Sequence, residues 1–324
     1  GKQQPATLFR KQFALKDKPV KARLYATCHG TYELYLNGSR ADSRLLAPEH
    51  TVYEKYLCYQ TYDVTEQLTE GSNAIGMHVG DGWYLCPQSL PNMKKMDYAH
   101  AILFQLEITY PDGSMDMIIS DEDVKCSNGP VLSADLYAGE YYDANKQIKN
   151  WNCADFMDSG WTSCMEANYG YENLVSQIGE PVIIVKELPV SRLTKSPKGE
   201  WILDFGQNIA GFVRMKVNAP KGTQITLEHC EILDKQGNFF NNIQGAGGVG
   251  KGVDQKDVYV CDGTSATYEP HFTYHGFRYV RVTGIEPKAE DFTACVVSTE
   301  KENLGTFKTS DERLNRLYKN IRWS

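Results

Sequence analysis

The sequence lacks concentrated positive charge: Lys and Arg never run longer than two residues, and the net charge over 324 residues is −7. That excludes a nucleic-acid partner, because phosphate binding needs a clustered basic surface. No membrane span is present as an apolar helix, since no stretch approaches the roughly 18–20 residues one needs. The opening Gly1-Lys2-Gln3-Gln4-Pro5 is polar, without the apolar centre of a signal peptide. None of the nine cysteines forms a Cys-x-x-Cys pair, so no zinc site is expected from spacing. Their contexts, such as Leu57-Cys58-Tyr59 and Ala294-Cys295-Val296, are apolar and strand-like, as expected of buried free thiols. Composition does not fix the compartment.

What the sequence does have is strands. The length of 324 residues allows two or three domains at ~100–200 residues each, and hydrophobic residues make up 41%, enough for real cores. Leu24–Thr27 and Tyr32–Leu36 flank the polar turn His29-Gly30-Thr31. The second run ends at Asn37-Gly38, a strong hairpin signal. Ile102–Ile108 and Met115–Ile119 flank Pro111-Asp112-Gly113, whose proline and glycine supply turn dihedrals for a second hairpin. Many short strands with frequent turns indicate sandwiches or jelly rolls and not βαβ units. The texture changes near Gly179-Glu180-Pro181, where fresh strands begin. The expected fold is therefore all-β: two jelly-roll-like β-sandwich domains, 1–178 and 179–298. The start of an α-helical domain follows at 299–324. The loop Gly245–Gly252 lacks the flanking strand and helix of a phosphate cradle.

The last residues differ. Ser310 reads as an N-cap, with Asp311 and Glu312 in the first turn. Leu314, Leu317, Tyr318 and Ile321 then recur on one helical face. The expectation is an amphipathic helix cut off as it opens, whose apolar stripe packs on a segment outside this chain.

Several motifs carry a resemblance. Tyr59–Thr65, Gly71–Gly76, Val79–Tyr84, Ala138–Ala144 and Met157–Trp161 resemble, in order, the N-terminal domain of bacterial α-L-rhamnosidases of glycoside hydrolase family 78. Asp204–Gly211 is similar to the hallmark of that family's next sandwich, a concanavalin-like domain, and Tyr268–Pro270 with Phe272–Tyr279 to its closing strands. The resemblance implies a galactose-binding-like first domain and a missing (α/α)₆ catalytic barrel beyond the terminal helix. It also implies hydrolysis of terminal α-L-rhamnose with inversion. In that reaction one carboxyl protonates the leaving oxygen and another activates water; neither is assigned in this chain. The implied partners are a rhamnose-containing carbohydrate and the barrel of the same polypeptide. Periplasm or export is favoured for the parent protein, with the cytoplasm left open. The competing reading is a stand-alone lectin-like protein.

Candidate sites follow from residue chemistry. Aromatic rings beside small residues offer a stacking platform for a sugar, and Asp or Asn oxygens suit hydroxyls or Ca²⁺. The carbohydrate-binding candidates are thus Asn37, Asp81, Trp83 and Tyr84, with Asn37 and Asp81 as candidate Ca²⁺ ligands brought together by neighbouring loops. No other cofactor is required. The blander reading makes Trp83 and Tyr84 core aromatics. Glu228-His229-Cys230-Glu231 with Asp234 reads as a strand edge without metal spacing. His271 and His275 read as a structural pair on one strand face, Asp254 and Asp257 as solvation of the Gly-rich loop, and Asp204, Gln207 and Asn208 as a turn around Gly206.

Overall fold

The computed structural model describes residues 4–85, 99–242, 255–299 and 304–323. The loop 245–252 and Asp254 lie outside them. The fold is all-β with curled sheets, as the strand periodicity requires.

The first sandwich packs two sheets on one core. Its six-stranded sheet centres on Thr7–Leu15, Gly71–Gly80 and Thr31–Leu36, and its five-stranded sheet on Leu57–Asp63, Lys21–His29 and Ala101–Thr109. Alternation does the sorting: Ala22, Leu24, Ala26 and Cys28 point inward from one strand, where they meet Leu34, Met77 and Val79 from the other sheet. The turn at Gly30 carries the chain from one sheet to the other, so the runs on either side of it are not a hairpin. A Cβ there would overlap the carbonyl oxygen of Gly80. Asn37-Gly38 is a hairpin turn, with φ of 49° and 88° joining Leu36 to its partner Ser39. The 111–113 turn likewise closes the antiparallel pair of Ala101–Thr109 and Met115–Ile119.

The second unit is one ten-stranded sheet curled around its own core. Its axis is the 17-residue strand Trp201–Val217. The first half of this strand pairs with Arg192–Lys195 and His275–Thr283, and the second half with Ala266–Tyr268 and Phe292–Thr299. The pairing with His275–Thr283 is interrupted by a bulge between Asp204 and Ile209, where Gly206 takes φ 75°. Asp204 accepts the Gly206 N–H at 2.7 Å and binds Arg278 through both carboxylate oxygens at 2.8 and 3.0 Å. The polar turn read from the sequence is this bulge.

Two strands cross over. Val131–Asp135 and Gly139–Asp143 precede the texture change, yet they complete the second unit's sheet, the latter pairing in parallel with Lys256–Val260. Tyr142 stacks on Tyr259 there, with ring centres 5.3 Å apart. The chain closes on the helix Glu312–Trp323. Its cap is Asp311 rather than Ser310, the Asp311 carboxylate accepting the Arg313 N–H at 2.9 Å.

Candidate functional site

The strand Gly71–Gly80 positions both ends of the site expected in the first unit. Its register against Thr31–Leu36 places Thr31 opposite Gly80 and Leu36 opposite Ile75. Asn37 therefore lies at one end of the ladder, where its N–H reaches the Ala74 carbonyl, and Asp81 at the other. The stretch from Ala74 to Asp81 spans roughly 20 Å of extended chain at about 3.3 Å per residue. One calcium ion cannot bridge them, and the expected shared site is corrected on that ground. Both side chains are also occupied. Asn37 accepts from Ala74 N at 2.8 Å and donates to Gln67 O at 2.9 Å and Asn73 Oδ1 at 2.8 Å. Asp81 is buried and faces Gln4 Nε2 at 3.1 Å and His100 Nε2 at 3.0 Å, while Thr7 holds the other nitrogen of His100.

Trp83 and Tyr84 sit on the short helical turn Gly82–Leu85, both half-buried. Tyr84 stacks on His29 with ring centres 4.2 Å apart and meets Tyr53 edge-on at 5.0 Å, and Trp83 lies 6.0 Å from His50. Tyr169 closes on His29 at 4.5 Å. Beside this aromatic group is a cleft of about 100 Å³ lined by His29, Asn168, Tyr169 and Asn173 among others.

A larger polar cleft, of about 310 Å³, lies between the two units. The first unit gives it Glu33, Tyr35 and Arg40, and the second sheet gives it Tyr142, Glu269 and His271. Burial alone would raise the Glu33 carboxyl, but Arg40 and the His271 imidazole outweigh it and hold Glu33 well below the usual carboxylate range. Tyr35 donates to Glu33 Oε2 at 2.6 Å. Burial and the Glu33 charge push the Tyr35 hydroxyl up. His271 is opposed by burial, yet Glu140 and Glu33 raise it to about 9. Its Nδ1 lies 3.1 Å from Glu140 Oε1, and its backbone N–H donates to Glu140 Oε2 at 2.9 Å. The cleft therefore holds a fixed set of charges able to orient a polar ligand or a cation.

Among the described residues two trios could hold a metal: Glu33, His78 and His271, and His229, Asp257 and His275. Sequence reading missed both as groups. It paired His271 with His275 on one strand face, but the strand begins at His275, and the two side chains enter different trios. It set Asp257 beside a solvated loop, whereas Asp257 is buried, accepts the Glu140 N–H at 3.0 Å and faces His275 Nε2 at 3.2 Å. Glu228, His229 and Cys230 end the strand Gln224–Cys230, which is paired on one side as far as Glu228 and on the other as far as Cys230, and Glu231 leads from it into the Asp234–Asn238 turn.

The comparisons with known proteins bear on this architecture as a whole. The alpha-L-rhamnosidase N-terminal domain family matches residues 17–186, more than half of the chain. The chain belongs to the bacterial α-L-rhamnosidase family. The bacterial alpha-L-rhamnosidase concanavalin-like domain matches residues 194–298. An alpha-L-rhamnosidase of Streptomyces avermitilis is 39% identical over 98% of this chain and 31% of its own length. The crystal structure of the Streptomyces avermitilis enzyme complexed with L-rhamnose superposes with a TM-score of 0.93 at 38% identity, over 99% of this chain and 31% of that one. That of native Aspergillus terreus α-L-rhamnosidase gives 0.92 at 35%, over 99% and 37%. The chain thus spans about a third of the length of the α-L-rhamnosidases it matches, and corresponds to their N-terminal portion.

Proposed function

We propose that this chain is the non-catalytic β portion of an enzyme that removes terminal α-L-rhamnose from glycosides or polysaccharides. The observation that carries the reading is its end-to-end match to α-L-rhamnosidases about three times as long. The terminal helix supports it. Leu314, Leu317 and Ile321 are 46%, 54% and 63% exposed on one face, a stripe suited to packing on a helical partner. The two carboxyls of inverting hydrolysis, one protonating the leaving oxygen and one activating water, would both come from that partner. The chain's own role is to seat it. The purified chain should leave aryl α-L-rhamnosides intact. Turnover that disappears on mutating a carboxylate of this chain would overturn the reading. A reading frame that continues for several hundred codons past Ser324 supports it against a stand-alone lectin.

We also propose that the first unit contacts carbohydrate at Trp83 and Tyr84. The aromatic group they form with His29, His50 and Tyr53 supports this, since half-buried rings stack on the apolar face of a sugar. A calcium ion at Asp81 would have to displace Gln4 and His100. Calorimetric titration with L-rhamnose, with and without EDTA, tests both points. Binding that survives Trp83→Ala would remove this surface.

A further inference from the structure

We propose that Glu33, His78 and His271 form a metal site that clips the two β units together and takes a zinc-like divalent cation. Glu33 and His78 are direct cross-strand partners in the first sandwich, with His78 Nδ1 3.8 Å from Glu33 Oε2. His271 arrives from the second unit beside Phe272, whose ring packs on Gly80 and on His78 at 4.8 Å. One donor atom from each of the three lies within 4.8 Å of the others.

Ring geometry separates this trio from the other one. A nitrogen–zinc bond of about 2.0–2.1 Å puts the ion roughly 3.2 Å from an imidazole centre. The centres of His78 and His271 are 5.3 Å apart with their planes at 69°, which subtends roughly 110° at such an ion, close to a tetrahedral angle. His229 and His275 stack at 4.0 Å with planes 21° apart. Their lone pairs cannot converge on one ion unless the stack opens, so that trio stays a hydrogen-bonded core group.

The surroundings fit a ligand role. His271 Nδ1 faces the Glu140 carboxylate, which in turn accepts from Tyr268 at 2.9 Å. This is the carboxylate–histidine arrangement that fixes the other ring nitrogen as a ligand. Tyr35 and Arg40 hold Glu33. His78 is 5% exposed, and its Nε2 has no hydrogen-bond partner. A buried polar atom in that state costs roughly 1–3 kcal/mol, and no hydrogen bond at Nε2 fixes the tautomer of the ring. Glu33 and His271 both border the 310 Å³ cleft, which leaves the fourth position open to water or an exchangeable ligand.

The test uses the full chain, stripped with a chelator and titrated with zinc or cobalt(II). One equivalent should bind. Cobalt should give tetrahedral visible absorption without a thiolate charge-transfer band, which distinguishes this site from the free cysteines. His271→Ala should lower affinity at least tenfold, and Glu33→Gln, which keeps side-chain size in case the histidine variants unfold, should do the same. His229→Gln should leave the stoichiometry at one. Absence of stoichiometric binding by the wild-type chain, or equal binding by Glu33→Gln and wild type, would overturn the site.

Discussion

At Asn37 the backbone holds φ 49° and the side-chain amide makes three hydrogen bonds to the neighbouring Gln67–Ala74 segment. Asn37→Ala would force an ordinary residue into the left-handed region, at about 1–2 kcal/mol, and break bonds contributing about 1 kcal/mol each. The denaturant midpoint should fall by an amount equivalent to about 4–5 kcal/mol, with any rhamnose affinity of the folded protein unchanged. Lost binding at an unchanged midpoint would show that Asn37 is a ligand after all. At His229, burial and the neighbouring His275 depress the imidazole from 6.5 to about 3. Between those values the unfolded chain binds a proton that the folded chain refuses. Stability should therefore fall as pH drops, by up to about 1.4 kcal/mol per pH unit from this group. Burial opposes ionisation of Asp257, but His275 outweighs it and lowers the carboxyl, so its contribution is lost at still lower pH. Urea midpoints taken from pH 7 to 4 should decline less steeply in His229→Gln than in wild type, and parallel slopes would contradict the assignment.

The elements show what pattern reading reaches. Hairpin turns were legible because Asn37-Gly38 and Gly113 advertise positive φ in their residue types, and the polar turn at the bulge because Gly206 does the same and Asp204 can accept a neighbouring N–H. The sandwich cores were legible from alternation. The trios were not. Glu33 and His78 are adjacent only through strand register, and His271 joins them across a seam between units. Spacing along the chain carries no trace of either relation. The shared Asn37–Asp81 site failed for the same reason, because two loops following neighbouring strands can lie at opposite ends of an antiparallel pair. The terminal helix was legible from its 3.6-residue period, and its exposed stripe gives a prediction at this scale. Leu317→Lys should change the stability of the chain by less than about 0.5 kcal/mol. Amides 314–321 should exchange fast in a dilute monomer, since a helix of 12 residues is marginal alone. Slow exchange there would mean that this face is already partnered.

At the scale of the whole molecule, the two units are interlocked. Val131, Ala134, Tyr142 and Ala144 lie before the texture change at 179, yet all four belong to the second unit's core. The strand carrying Tyr142 caps the edge Lys256–Val260 through a parallel ladder. Cutting the chain at 178 would remove those side chains and expose an unpaired edge. Burying a large apolar side chain contributes roughly 1.5–3 kcal/mol, so losing Val131 and Tyr142 removes several kcal/mol from a total that for a domain is about 5–15. Losing the ladder adds to that deficit. The fragment 179–299 should consequently be unstable alone, binding a hydrophobic dye and showing no cooperative thermal transition, while the fragment 4–299 unfolds cooperatively. Adding the separate fragment 4–178 should restore structure to 179–299 if residues 131–143 are what it lacks. A cooperative transition of 179–299 alone, at the midpoint of the longer chain, would show that the crossover strands are dispensable and that the second sheet closes its core without them.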